Sequence, residues 1–250
     1  MLRCKAPVLV LGWAAICSVP PVVGQELDAN QETHIKIPSA GREPSFVLQI
    51  SAQGRRGVVS VQDEKGSERQ RLVCPLLRDN SAPTGAELAA VREQFVSGFE
   101  AKDLDSDGHQ DLLGIREFGA KWARYCVWLY DPQQHLFVKD QLAEQIELLV
   151  NVTVNESGQI VTSHLGPANP WYQIYRIAPA ERSGEVPRLL PLCACLVETT
   201  ADGNVPKAIV TTRYEGGRPV VQRQEAVKMD MRSALNMCSS LGILPAAAPL

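Results

Sequence analysis

The sequence predicts an all-β protein: an antiparallel meander, sandwich or propeller-like arrangement with one or two short helices. Three observations lead there. The apolar runs are short and rich in β-branched and aromatic residues, as in "SFVLQIS", "GVVSVQ", "YCVWLY" and "KAIVTTRY". Most are separated by turn chemistry such as "DPQQ", "NESG", "ADGN" and "EGGR". Only two stretches carry helix signals, and no internal repeat is visible.

Residues 1–24 form a segment of their own. Arg3 and Lys5 make a basic start, "APVLVLGWAAI" is an apolar run of signal-peptide length, and Val22 and Gly24 are small enough to precede cleavage before Gln25. The run falls short of the about 20 apolar residues that a spanning helix needs. The expectation is a periplasmic or secreted protein that does not span a membrane. Ile16 fits poorly before Cys17 at a lipoprotein processing site, which argues against a lipid anchor. Loss of Arg3 and Lys5 leaves 23 of the 25 basic side chains against 28 acidic ones. That balance excludes the basic footprint of a nucleic-acid binder.

Residues 25–44 are polar and read as an N-terminal arm or a first edge strand. A β domain follows over 45–226. Its first runs are "SFVLQIS", "GVVSVQ" and "RLVC". "TGAELAAVREQ" then breaks the rhythm as a short helix, with Thr84 as its cap and Glu87 three places on, the spacing of a capping box.

"KDLDSDGHQDLL" comes next. Asp103, Asp105 and Asp107 alternate, Gly108 takes the sixth position, and Asp111 the ninth. Carboxylates this close repel one another unless a cation neutralises them, and Ca²⁺ takes about six to eight oxygens from such a loop. The expected donors are the side chains of Asp103, Asp105 and Asp107, the backbone carbonyl of His109, and both oxygens of Asp111. Gly108 supplies the turn-back that a residue with a Cβ adopts reluctantly. The loop is no EF-hand: the twelfth position is Gly114 instead of glutamate, and the flanks "QFVSGFE" and "DLLGIRE" read as strands.

In "YCVWLYDPQQHLFV" period two places Cys126, Trp128 and Tyr130 on one face and Val127 and Leu129 on the other, with Trp128 a core anchor. "NVTVNESGQIVTS" repeats the hairpin arrangement around Gly158, and its N-x-S/T triplets at Asn151 and Asn155 are treated as chance. "WYQIYRI", "ACLVET", "KAIVTTRY" and "PVVQRQEAV" complete the strands. Residues 227–250 hold a terminal helix, "MDMRSALNMCSSLGIL", and a loose tail.

Five cysteines follow the signal segment: Cys74, Cys126, Cys193, Cys195 and Cys238. Export favours disulfides, and the odd count leaves at least one thiol unpaired. Cys193 and Cys195 share a strand face and so pair with other segments more readily than with each other. A zinc site is the weaker alternative for C-x-C without a second ligand pair.

"DLDSDGHQDLL", "YCVWLYDPQQHLFV" and "ELLVNVTVNESGQIVTSH" together follow the motif order of a group of exported bacterial proteins. These pair an integrin-like (FG-GAP-type) calcium loop with a W-L-Y-(N/D) strand, a phenylalanine-bearing partner strand and a later strand bearing isoleucine and serine. The chain thus resembles, over about residues 94–176, periplasmic immunity proteins that neutralise type IV-secreted peptidoglycan hydrolases and are akin to lysozyme inhibitors. The resemblance implies a peptidoglycan hydrolase as partner and a glycine- and tyrosine-bearing loop that enters its cleft. The matching stretch is "SHLGPANPWYQIYR", with Ser163, His164, Gly166, Trp171 and Tyr172 as partner-binding residues; its spacing departs from the pattern, and Pro167 and Pro170 are additional.

Catalysis is not expected. His34, His109, His135 and His164 lie in no nucleophile motif, and calcium accounts for the densest acidic cluster. The sequence therefore favours an exported, calcium-stapled inhibitor. A calcium-dependent adhesion or carbohydrate-binding module of the integrin-repeat type is the alternative, and repeated calcium loops would be its mark.

Overall fold

A computed structural model describes residues 32–37, 45–77, 83–164, 169–179, 186–201, 203 and 205–241. The signal segment, most of the arm, Gly166 and the loose tail fall outside these residues. Three antiparallel sheets follow one another along the chain, each with its strands in sequence order, the meander expected from the short runs and tight turns.

The first sheet holds β1 (Glu32–Ile37), β2 (Phe46–Gln53), β3 (Arg56–Gln62) and β4 (Glu68–Pro75). Part of the expected arm is thus β1, an edge strand paired with β2 from Glu32↔Ser51 to Ile37↔Phe46. Helix α1 (Gly85–Ser97) starts at Thr84, whose side chain accepts from the Glu87 N–H while Glu87 reaches back to the Thr84 N–H, the predicted capping box. The stretch "QFVSGFE" is not a strand. Gln94–Ser97 finish α1, which ends at Gly98, because Val91 and Phe95, four apart, lie on the buried side of the helix.

The second sheet holds β5 (Glu100–Lys102), β6 (Asp111–Gly119), β7 (Trp122–Asp131) and β8 (Leu136–Val138). Helix α2 (Gln141–Glu147) brings the helices among the described residues to three, where the sequence suggested one or two. Asp140 caps it by accepting from the Ala143 N–H at 2.8 Å, and Leu142, Ala143 and Ile146 are buried. The third sheet runs β9 (Thr153–Val154), β10 (Ile160–His164), β11 (Trp171–Ala178), β12 (Arg188–Thr199), β13 (Pro206–Glu215) and β14 (Arg218–Ala226). Gly216 and Gly217 form the β13–β14 turn with φ of 56° and 81°, a conformation that two successive residues with a Cβ adopt only with strain. Helix α3 (Met231–Leu241) is the predicted terminal helix.

Three apolar cores hold these layers. The first unites sheet one and α1 with Leu112, Cys126, Trp128, Tyr130 and Phe137 of the second sheet. The second core takes that sheet's other face, Leu113, Val127 and Leu129, against α2, Val152 and Ile160. The alternation predicted for residues 126–130 is therefore present, but both faces are buried. The third core packs α3, through Ala234 and Cys238, on Cys195, Val197 and Ile209.

Cross-links join the layers. Cys74 of β4 is bonded to Cys126 of β7, and Cys195 of β12 to Cys238 of α3. Cys193 keeps its thiol, whose pKa burial raises. These two disulfides fit an oxidising compartment. The Gln70 side chain also bridges two sheets: its amide donates to the Phe137 carbonyl at 2.6 Å, and its carbonyl accepts from the Phe137 N–H at 3.0 Å. Among the described residues no helix is long and apolar enough to cross a membrane.

Candidate functional site

The acidic loop links β5 to β6, and backbone N–H groups shape it. Asp103 Oδ2 accepts from Gly108 at 3.1 Å, Asp105 Oδ1 from Asp107 at 3.2 Å, and Asp107 Oδ1 from His109 at 2.8 Å. Such side-chain-to-backbone bonds are what Asp offers a tight loop. Gly108, at φ 92°, occupies the conformation that the sixth position calls for.

Asp111 is almost fully buried. Its Oδ2 accepts from the Leu104 N–H at 2.8 Å and its Oδ1 from the Tyr130 N–H at 2.9 Å, so one carboxylate holds the loop to β7. Asp103, Asp105 and Asp111 each direct a carboxylate oxygen to a common place, all within 4.8 Å of one another. Asp107 stands outside that trio. The His109 imidazole packs against the Tyr130 ring, with centroids 5.4 Å apart.

Crowding carboxylates out of water shows in their titration. Burial, offset in part by the two N–H bonds and reinforced by Asp105 and Asp107, pushes the Asp111 pKa up to about 8. Burial, then the Asp107 charge, pushes Asp105 up to about 6. Both shifts mark a place where negative charge is costly without a counter-ion. Asp103 Oδ1 is buried there with no hydrogen-bond partner. A hard cation is the partner that suits an oxygen donor set of this kind, and each Asp111 oxygen still has a lone pair for it.

The expected partner-binding residues lie on β10 and β11, except Gly166, which is outside the described residues. Ser163 pairs with Tyr172 and His164 with Trp171 across the two strands. Period two separates the aromatics. Tyr172 packs into the third core, on the face that carries Cys195. Trp171 lies on the opposite face, half-buried, in one cross-strand row with Leu196, Val210 and Gln224, and the His164 ring stacks on it at 6.4 Å. The structure thus brings His164 and Trp171 together and turns Tyr172 away from them.

Two features escape sequence reading. Ser106 of the acidic loop donates to the Gly158 carbonyl at 3.1 Å, across 52 residues. A buried ion network also sits beside β7: Glu147 Oε1 accepts from the Val127 N–H at 2.9 Å and from Lys139 Nζ at 2.6 Å, while its Oε2 lies 3.7 Å from Arg116. The β-bulge between Ile115 and Glu117 places Arg116 there, and no local motif announces it.

No family model matches this chain, and no curated protein matches it. Among solved structures it is similar to a Xanthomonas type IV secretion system related protein, at 14% identity and a TM-score of 0.41, over 81% of this chain and 96% of that one.

Proposed function

We propose that this chain is an exported binding protein, stapled by a structural calcium ion, that inhibits a peptidoglycan hydrolase by occupying its cleft. One observation carries the cation: Asp103, Asp105 and Asp111 converge around a buried carboxylate oxygen that has no partner. The ion would bind the folded state and add RT ln(1 + [L]/Kd), about 2.7 kcal/mol at a hundredfold excess over Kd. The chain's role is binding, with no catalytic step. The motif order over residues 94–176 supports the hydrolase as partner. Trp171, with His164 stacked on it beside the β10–β11 connection, supplies the recognition surface, since tryptophan is among the residue types that dominate binding hot spots.

Thermal unfolding with calcium and with chelator tests the cation. Asp103→Asn is expected to lower the melting temperature in calcium and leave it unchanged in chelator; equal loss in both sinks the metal reading. Capture from bacterial envelope extracts tests the partner. A lysozyme-like hydrolase should be retained by the unmodified protein and lost with Trp171→Ala. Retention of glycans alone would favour the carbohydrate-binding alternative.

A further inference from the structure

The acidic loop does not stand alone. Ser106, at φ 63°, is seated on the turn between β9 and β10, donating to the Gly158 carbonyl at 3.1 Å. Gly158 has φ 70°, and a Cβ there would collide with the Ser106 hydroxyl, so the contact is one of shape as well as hydrogen bonding. Leu104, between the first two aspartates, is fully buried in the same core as Ile160, the first residue of β10. The loop therefore touches the turn through Ser106 and shares the core of Ile160 through Leu104.

The turn it meets is stiff. Asn155 Oδ1 accepts from the Ser157 and Gln159 N–H groups at 3.0 Å each, and its carbonyl accepts from Gly158 at 3.0 Å. Beyond the turn β10 is paired with β11 along its whole length, from Ile160↔Tyr175 to His164↔Trp171, and β9 adds Ile160↔Val154 and Val161↔Thr153, so the turn at 155–159 is the part these ladders leave to the acidic loop. The far end of β10 is held independently: the Asn151 amide donates to the Ser163 carbonyl at 2.8 Å, and Ser163 donates to Val150 at 3.4 Å. β10 is thus held by its neighbours, and the acidic loop closes on the turn that leads into it.

We propose that the acidic loop is a cation-controlled clamp on the β9–β10 turn, so that calcium fixes the turn that leads into β10. This rests on the calcium reading above. Without the ion, Asp103, Asp105 and Asp111 lose the partner that draws them together, the loop relaxes, Ser106 leaves Gly158, and the β9–β10 turn loosens. With the ion, the clamp closes and the turn is held.

Hydrogen–deuterium exchange of the segment 153–164, with calcium and with chelator, tests the clamp, alongside calorimetric titration of calcium. Ser106→Gly is the informative variant: glycine accepts the positive φ and removes only the hydroxymethyl group. In the unmodified protein calcium is expected to slow exchange over residues 153–161 at least several-fold. Ser106→Gly should still bind calcium while losing most of that slowing. Gly158→Ala should weaken calcium binding itself, because its methyl group keeps the loop from closing. If calcium binds but leaves exchange there unchanged, or if Ser106→Gly retains the full slowing, the clamp is overturned and the cation site stands. If the unmodified protein gives no heat of calcium binding, both readings fall together.

Discussion

Gly114 stands where a twelve-residue calcium loop would carry its glutamate, and the Phe95 ring occupies the space above it. A Cβ on Gly114 would collide with that ring and crowd Phe99, and Gly57 of β3 faces the same ring from the first sheet. The departure from the EF-hand is thus a packing requirement: the residue that could bring a further side-chain ligand has been given up to seat a core phenylalanine. Gly114→Ala is expected to destabilise by about 1–3 kcal/mol, the ordinary cost of overpacking, as read by urea unfolding. Asp111 yields a pH prediction. Its folded pKa, about 8, lies above the ordinary carboxylate value, so the folded ion-free protein keeps a proton that the unfolded chain has lost. Stability in chelator should therefore be greatest below that window and fall as pH rises toward 8; saturating calcium should abolish the fall. A melting temperature in chelator that rises between pH 5 and pH 8, values chosen to lie within about that window, would contradict it. At this scale the sequence was informative about the loop, since alternating aspartates and a glycine are local signals. Spacing alone does not separate Asp107 from the trio whose oxygens converge, Asp103, Asp105 and Asp111. Period two implied that Trp171 and Tyr172 must part, but which one enters the core depends on α3, far along the chain.

Elements were legible where their signals were local. Thr84 with Glu87 announced α1, and paired glycines announced the β13–β14 turn. The far end of α1 was misread because "QFVS" has strand composition, and it is helical where Val91 and Phe95 pack into the core shared with the first sheet. Helix α2 was overlooked although Asp140 and the spacing of Leu142 and Ile146 were readable as a cap and a buried face. Helix α3 depends on a single covalent tether, Cys195–Cys238, which closes a span of 43 residues. Replacing Cys238 by serine is expected to cost about 2–4 kcal/mol, and exchange protection over 231–241 should fall further than in β12. Edge strands β4 and β14 carry Glu68, Arg69, Arg71, Arg218 and Arg223, charges that discourage pairing with another chain.

Across the whole molecule, the second sheet couples two cores, and the buried Glu147 sits at their join. Glu147→Ala would remove the acceptor for the Val127 N–H and the partner of Lys139 and Arg116, and is expected to cost about 3–5 kcal/mol in urea unfolding. The conservative Glu147→Gln should recover part of that loss by keeping the N–H bond. None of this was visible in the sequence, where Glu147 is one acid among many.

Because β7 is apolar on both faces, its hydrophobic pattern carries no address. Slid by one residue, Val127 and Leu129 would enter the first core and Trp128 and Tyr130 the second, and water would be excluded from both. What distinguishes the native alignment is polar: Asp111 accepts the Tyr130 N–H from one side and Glu147 the Val127 N–H from the other, with Cys126 fastened to Cys74. Two acids and a disulfide thus spell the register that the oily residues leave ambiguous. One of those acids is also a proposed calcium ligand, so the cation would be gripping the alignment mark of the central sheet.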